Sequence, residues 1–139
     1  MNPAKEYLIQ YRRQVERIRQ CYQTIDAITA TIETITLDAD GLPRASDISD
    51  RTGRLAVQLA DMSTRLEIMI ADAWTIRGEI EHVIQTVEAP EMSRLLYDRY
   101  ILFKEWREIA DAIGYEESYT RGRLHARSLE EVEKKIHQT

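Results

Sequence analysis

Cysteine is almost missing from this sequence: Cys21 is the only one in 139 residues. No internal disulfide can form, so the fold must be held by packing, and a reducing cytoplasm is the expected setting. Glycine and proline are scarce, at five and three. Strand-favouring alternation is absent over any useful length as well, which makes this an all-helical composition. A single phenylalanine means a core of aliphatic side chains with tyrosines at its margins. No apolar run approaches the ~20 residues a membrane-spanning helix needs. The N-terminal MNPAKEYLIQYRR lacks the continuous apolar stretch of a secretion signal. No membrane partner is therefore expected. A basic surplus is lacking too. Nineteen Lys and Arg stand against 24 Asp and Glu, net −5, which excludes a histone-like coat held on DNA by bulk charge.

Catalytic and cofactor motifs are equally scarce. The histidines, His82, His125 and His137, show no paired spacing with one another or with Cys21 that would suit zinc. There is no glycine-rich phosphate loop and no GxSxG or HExxH. The expectation is a protein that is not an enzyme and that carries no metal and no cofactor.

What the chain does contain is helical periodicity, and the expected fold class is all-α. From Pro3, which suits a first helical turn, to about Thr36 the apolar positions run Leu8, Tyr11, Val15, Ile18, Tyr22, Ile25, Ile28, Ile32, Ile35. The steps alternate three and four with one short step after Ile25, a coiled-coil-like seam with a local fault. The run of threonines and isoleucines from Thr29 to Thr36 is weak helix material, because branching at Cβ restricts χ1, and predicts a frayed or strand-like end. Turn signals from Leu37 to Gly53 predict a long connector. A second helix is predicted from about Arg54 to Val87. Its seam of Leu55, Leu59, Met62, Leu66, Met69, Ala73, Ile76, Ile80, Val83 and Val87 has no fault. The two long helices form an antiparallel hairpin in this reading, spanning 1–89 and serving oligomerisation. Val57, Ile68, Ile70, Trp74 and Ile84 lie off the second seam, and a large unpartnered apolar surface usually marks an interface. A homodimer is the expected assembly.

Glu88-Ala89-Pro90-Glu91 breaks the helix, since proline disfavours helical geometry in the residue before it, and sets off a second unit over 90–139. Three short helical segments follow. The first carries Leu95, Leu96, Tyr100 and Ile101. The second carries Trp106, Ile109, Ala110 and Ile113 and stops at Gly114, where a left-handed backbone is needed. The third starts near Glu116–Ser118 and carries Leu124, Ser128 and Val132. This is the plan of a helix-turn-helix.

These residues also carry a family resemblance. Arg99-Tyr100, Trp106-Arg107-Glu108-Ile109-Ala110 and Ile113-Gly114 are similar to the conserved run of the promoter-reading region 4 of sigma-70-type factors. Arg123-Leu124-His125 falls in step with the corresponding run of extracytoplasmic-function sigma factors. Leu124-His125-Ala126-Arg127-Ser128-Leu129 resembles the ending of phage late-gene transcription regulators of the ArpU/RinA type. The likeness covers roughly the last 45 residues. Three positions depart from it: Glu116 and Glu117 stand where a capping Ser or Thr and a polar or basic residue are usual, and Thr120 replaces a buried valine.

The resemblance implies a sequence-specific DNA-binding transcriptional regulator of phage or prophage late genes. Its helix near 117–129 would lie in the major groove of double-stranded DNA. Although 90–139 holds nine Lys and Arg against ten Asp and Glu, no acid falls between Glu117 and Glu130. Glu117, Ser118, Arg121, Gly122 and His125 share one face at 3.6 residues per turn. Arg121 suits guanine, to which a guanidinium donates two parallel bonds, and Glu117 suits a cytosine amino group. Ser118 and His125 add polar contacts, and Gly122 permits close approach. Arg123, Arg127 and Arg107 suit phosphates, which position without specifying. Trp106 reads as core filling. RNA polymerase is a further candidate partner. The alternatives are a small terminase-like DNA-packaging subunit and an RNA-polymerase-binding adaptor docking through Glu116-Glu117.

Overall fold

The computed structural model describes residues 2–38 and 45–137, and every regular element among them is helical. The fold is all-α. Helix α1 is Pro3–Leu8, α2 Gln10–Asp38, α3 Ala45–Gln85, α4 Pro90–Tyr100 and α5 Trp106–Ile113. The last helix begins as α6, Glu117–Tyr119. It passes through a π-helical turn, Thr120–Leu124, and continues as α7, His125–Ile136.

Two compact units are present: residues 15–72, and residues 1–14 together with 73–139. In the first, α2 and α3 run antiparallel. Cys21 lies 17 residues before Asp38, and Met62 lies 17 residues after Ala45; the Cys21 thiol donates to the Met62 carbonyl at 3.6 Å. Contacts equidistant from the connection require opposite chain directions. All five α3 seam residues predicted in this unit, from Leu55 to Met69, are half-buried. The α2 seam differs from the one expected. From Ile18 onward the inward heptad positions run Ile18, Cys21, Ile25, Ile28, Ile32, Ile35, with steps of 3, 4, 3, 4 and 3. The fault after Ile25 therefore does not exist. It arose at Tyr22, which is 48% exposed while Cys21 is buried; Val15 is half-buried.

Two other expectations are corrected here. The Thr29–Thr36 stretch stays helical to Asp38. The hydroxyls of Thr31, Thr34 and Thr36 donate to the carbonyls of Ala27, Ala30 and Ile32 at 2.8, 2.9 and 2.9 Å, so each branched side chain satisfies its polar atom within the helix. Of the predicted connector, residues 39–44 lie outside the described residues, but 45–53 belong to α3. The Ser/Asp cluster read as a turn is also what a helix N-terminus favours: Asp47 sits in the first turn, where the backbone dipole stabilises a carboxylate.

The second unit has the deeper core. Ala4, Leu8, Ile80, Ile84, Val87, Met92, Leu95, Leu96, Tyr100, Ile101, Ile109, Leu124, Leu129 and Val132 form one cluster. Residues on both sides of 89–90 thus share a core, and the break there is not a division between compact units. Pro90 does open a helix, with Ala89 extended before it. The first helix was expected to be unbroken from Pro3, but a turn at Ile9 (φ −78°, ψ −5°) separates α1 from α2. Asn2 caps α1, its side chain accepting from the Ala4 and Lys5 amides at 2.9 and 3.2 Å. Helix α1 packs on α7, and α4 packs on both α5 and α7.

Candidate nucleic-acid interface and an adjoining cationic recess

Helix α5 ends as its sequence requires. Gly114 is left-handed at φ 80° and its amide bonds back to Ala110 at 2.9 Å. The chain turns through Tyr115 and Glu116 and re-enters helix at Glu117. Thr120, Leu124, Ser128 and Val132 are all buried, each four residues after the last. In an ideal α-helix such steps drift by ~40° apiece. The π turn underwinds the helix at this point, which helps to keep the row facing the core. The Thr120 hydroxyl donates to the Glu116 carbonyl at 2.8 Å and that of Ser128 to the Leu124 carbonyl at 2.8 Å, so neither buried hydroxyl lacks a partner.

With that row inward, Glu117, Ser118, Arg121, Gly122, Arg123 and Arg127 are exposed, as is Arg107 on α5. Arg121 keeps 61% of its side chain accessible and reaches Glu117 only at 4.0 Å, a loose ion pair that costs little to exchange for another partner. Helix α6 is not capped by a side chain of Glu116.

His125 is the exception among the sequence-derived site residues. It was expected on the exposed face beside Arg121, but it is half-buried. Its Nε2 lies 2.6 Å from the Tyr100 hydroxyl, its ring stacks on Tyr100 at 5.9 Å, and it meets the Trp106 ring edge-on at 4.7 Å. At 3.6 residues per turn His125 would share that face, but the π turn between Thr120 and Leu124 rotates it relative to Glu117 and Ser118. Burial, reinforced by Lys5 and Arg99, pulls the imidazole pKa from 6.5 down to about 4, so His125 is neutral at physiological pH. Burial raises the Tyr100 hydroxyl to about 12. Trp106, read as core filling, is half-buried and packs against the core cluster.

Beside this pair lies a feature the sequence reading missed. A recess of about 380 Å³ is lined by Lys5, Ile9, Arg12, Arg99, Tyr100, Trp106, Arg121 and His125. Four of the eight are cations and none is a carboxylate. Among the described residues, Lys5, Arg12 and Arg99 form no ion pair. Arg99 lies over the Trp106 ring at 4.5 Å and donates to the Lys104 carbonyl at 3.0 Å. Burial, and then the neighbouring Arg12, lowers its pKa. Arg12 in turn lies over Phe103 at 5.4 Å, and Phe103 stacks on Tyr11 at 5.5 Å. Phe103 has a positive φ of 59°, an uncommon conformation for an aromatic residue. Lys5 and Arg12 lie more than eighty residues from Arg99 in the chain, so no local spacing connects them. Arg99 alone stood within a recognised motif.

The chain matches no family model, no curated protein and no solved structure.

Proposed function

We propose that this protein is a sequence-specific DNA-binding transcriptional regulator, of the phage late-gene type that its C-terminal residues resemble, reading the major groove with α6 and the turns that follow it. One observation carries the reading. The last helix buries a continuous row, Thr120, Leu124, Ser128 and Val132, and turns outward a contiguous edge containing Ser118, Arg121, Gly122 and Arg123. A groove-reading helix needs that combination: a rigid seat, and exposed polar side chains held at most by loose pairs such as Arg121 with Glu117 at 4.0 Å. Arg121 is assigned to guanine and Glu117 to cytosine. Arg107, Arg123 and Arg127 are assigned to phosphates, and His125 to the packing that holds the reading helix.

The hairpin is proposed as the dimer contact. Val57 and Ile68 are 63% and 58% exposed. Eleven residues apart, they fall on one side of α3. Ile84, once counted with them, is instead in the core of the second unit, at 2%. A dimer would place two reading helices on half-sites separated by about one duplex turn or a multiple of it.

The test is selection from random duplexes at two salt concentrations. Enrichment of a two-fold-related site, with binding that weakens as salt rises, is the expected outcome. Retention of RNA polymerase with no duplex binding at low salt would select the adaptor reading, which the exposed Glu116 and Glu117 favour.

A further inference from the structure

The recess holds Lys5, Arg12, Arg99 and Arg121 around the neutral His125, with no carboxylate in its lining. Gathering like charges is unfavourable in an empty site, and the effect is visible here: Arg12 opposes the charge on Arg99, and Lys5 and Arg99 oppose protonation of His125. Carboxylates act on the cluster only from outside its lining, Glu105 on Arg99 and Glu117 on Arg121 at 4.0 Å. The cations come from four separate elements, α1, α2, α4 and the π turn, so their convergence is a property of the tertiary fold and not of a basic stretch. An anion is the group that turns this arrangement from unfavourable to favourable.

We propose that the recess binds the phosphoryl group of a small phosphate ester. Three donors of guanidinium type and one ammonium match a tetrahedral oxyanion with several acceptor oxygens. The volume falls in the range of small-molecule sites and exceeds what a bare phosphate fills. Ile9 and the accessible part of Trp106 supply an apolar wall for the carrier of the phosphate. The floor of the recess argues against a duplex backbone as the occupant, although Lys5, Arg12 and Arg121 at its rim are exposed. Arg99, Tyr100, Trp106 and His125 are buried or half-buried, whereas the arginines a rod-like duplex would touch, Arg107, Arg123 and Arg127, are exposed and lie outside the recess. This assignment shares Arg121 with the DNA reading, but Lys5, Arg12 and Arg99 take no part in that reading, and the variants below are placed on the first two.

The experiment is a titration of the full-length Trp74→Phe protein with inorganic phosphate and with pyrophosphate, in chloride buffer. That background leaves Trp106 as the only indole. Its emission reports the recess, and calorimetry provides a second readout. Saturable binding, tighter for pyrophosphate, is expected. Lys5 and Arg12 are exposed, so Lys5→Gln and Arg12→Gln should fold, which circular dichroism checks. Each should weaken binding about tenfold, as loss of one charge-assisted bond does. Absence of saturation at 10 mM of either anion, or equal affinity in the Lys5→Gln/Arg12→Gln double variant, overturns the proposal. If the anions fail to bind while the double variant loses duplex binding, the recess is a seat for backbone phosphate; this proposal falls and the DNA reading stands. If the anions bind saturably and no duplex does, the converse holds.

Discussion

Acidification should destabilise this protein through His125, and the size of the effect follows from the site. The ring is hydrogen-bonded to Tyr100 at 2.6 Å, wedged against Trp106 and faced by Lys5 and Arg99. Protonation need not break the Tyr100 bond, since a hydroxyl oxygen accepts from an imidazolium N–H as readily as it donates to a bare ring nitrogen. The opposition comes from burial first and the two cations second, which hold the folded-state pKa at about 4 against 6.5 when unfolded. Between those values the unfolded chain binds the proton and the folded chain does not. Stability is therefore full above about pH 6.5 and falls as the pH drops toward 4. At ~1.4 kcal/mol per pH unit the depression corresponds to roughly 3 kcal/mol. Because His125 lines an open recess, solvent screening reduces this to about 1–2 kcal/mol, or roughly 3–8 °C in melting temperature. The assay is thermal unfolding by circular dichroism at pH 7.5 and 4.5, in phosphate-free buffer so that no anion offsets Lys5 and Arg99. The wild type is compared with His125→Gln, which keeps a polar partner for Tyr100 but cannot titrate. The pH-dependent difference between the two proteins isolates His125 from carboxylates that titrate in both. An NMR titration showing the His125 ring protonating at 6.5 or above in the folded protein would refute the reasoning.

Four further outcomes are expected. Arg121→Ala should cost ~1–3 kcal/mol of duplex binding and relax the preference at one base pair; an unchanged selection profile removes Arg121 from the base contacts. Gly114→Ala meets no atom within 4 Å, so its cost is that of the left-handed backbone alone, about 1–2 kcal/mol by urea unfolding. Asp98, with its side chain 4% exposed, lies 3.4 Å from Arg94 and 3.8 Å from Lys104; Asp98→Ala should destabilise by ~1–3 kcal/mol by leaving Lys104 without its partner, and a change under 0.5 kcal/mol would show the pair to be incidental. Val57→Asp with Ile68→Asp should turn a dimer into a monomer in light scattering without loss of helicity, whereas an already monomeric wild type disposes of the hairpin interface.

Local periodicity and backbone stereochemistry were sufficient for most of the secondary structure. The α3 seam, the break at Pro90, the stop at Gly114 and the restart near Glu117 were all legible, because each depends on residues within a turn or two of one another. The same locality explains the misreadings. Tyr22 and Cys21 are neighbours that could each fill the seam, and only packing against α3, where the Cys21 thiol meets the Met62 carbonyl, shows that Cys21 faces inward. Thr31, Thr34 and Thr36 look like poor helix formers until their hydroxyls are seen to bond back within the helix. The outward edge at Ser118, Arg121 and Arg123 followed from the buried row opposite. The inward turn of His125 did not, because an ideal helix has no π turn and the underwinding accompanies a core row spaced by four. The recess was beyond the sequence altogether. Lys5 on α1 and Arg12 at the start of α2 are ordinary surface cations until α1 packs on α7 and the fold gathers them with Arg99 and Arg121. A chain specifies its turns and stripes through neighbours a few bonds away; where distant charges converge is decided only when the core closes.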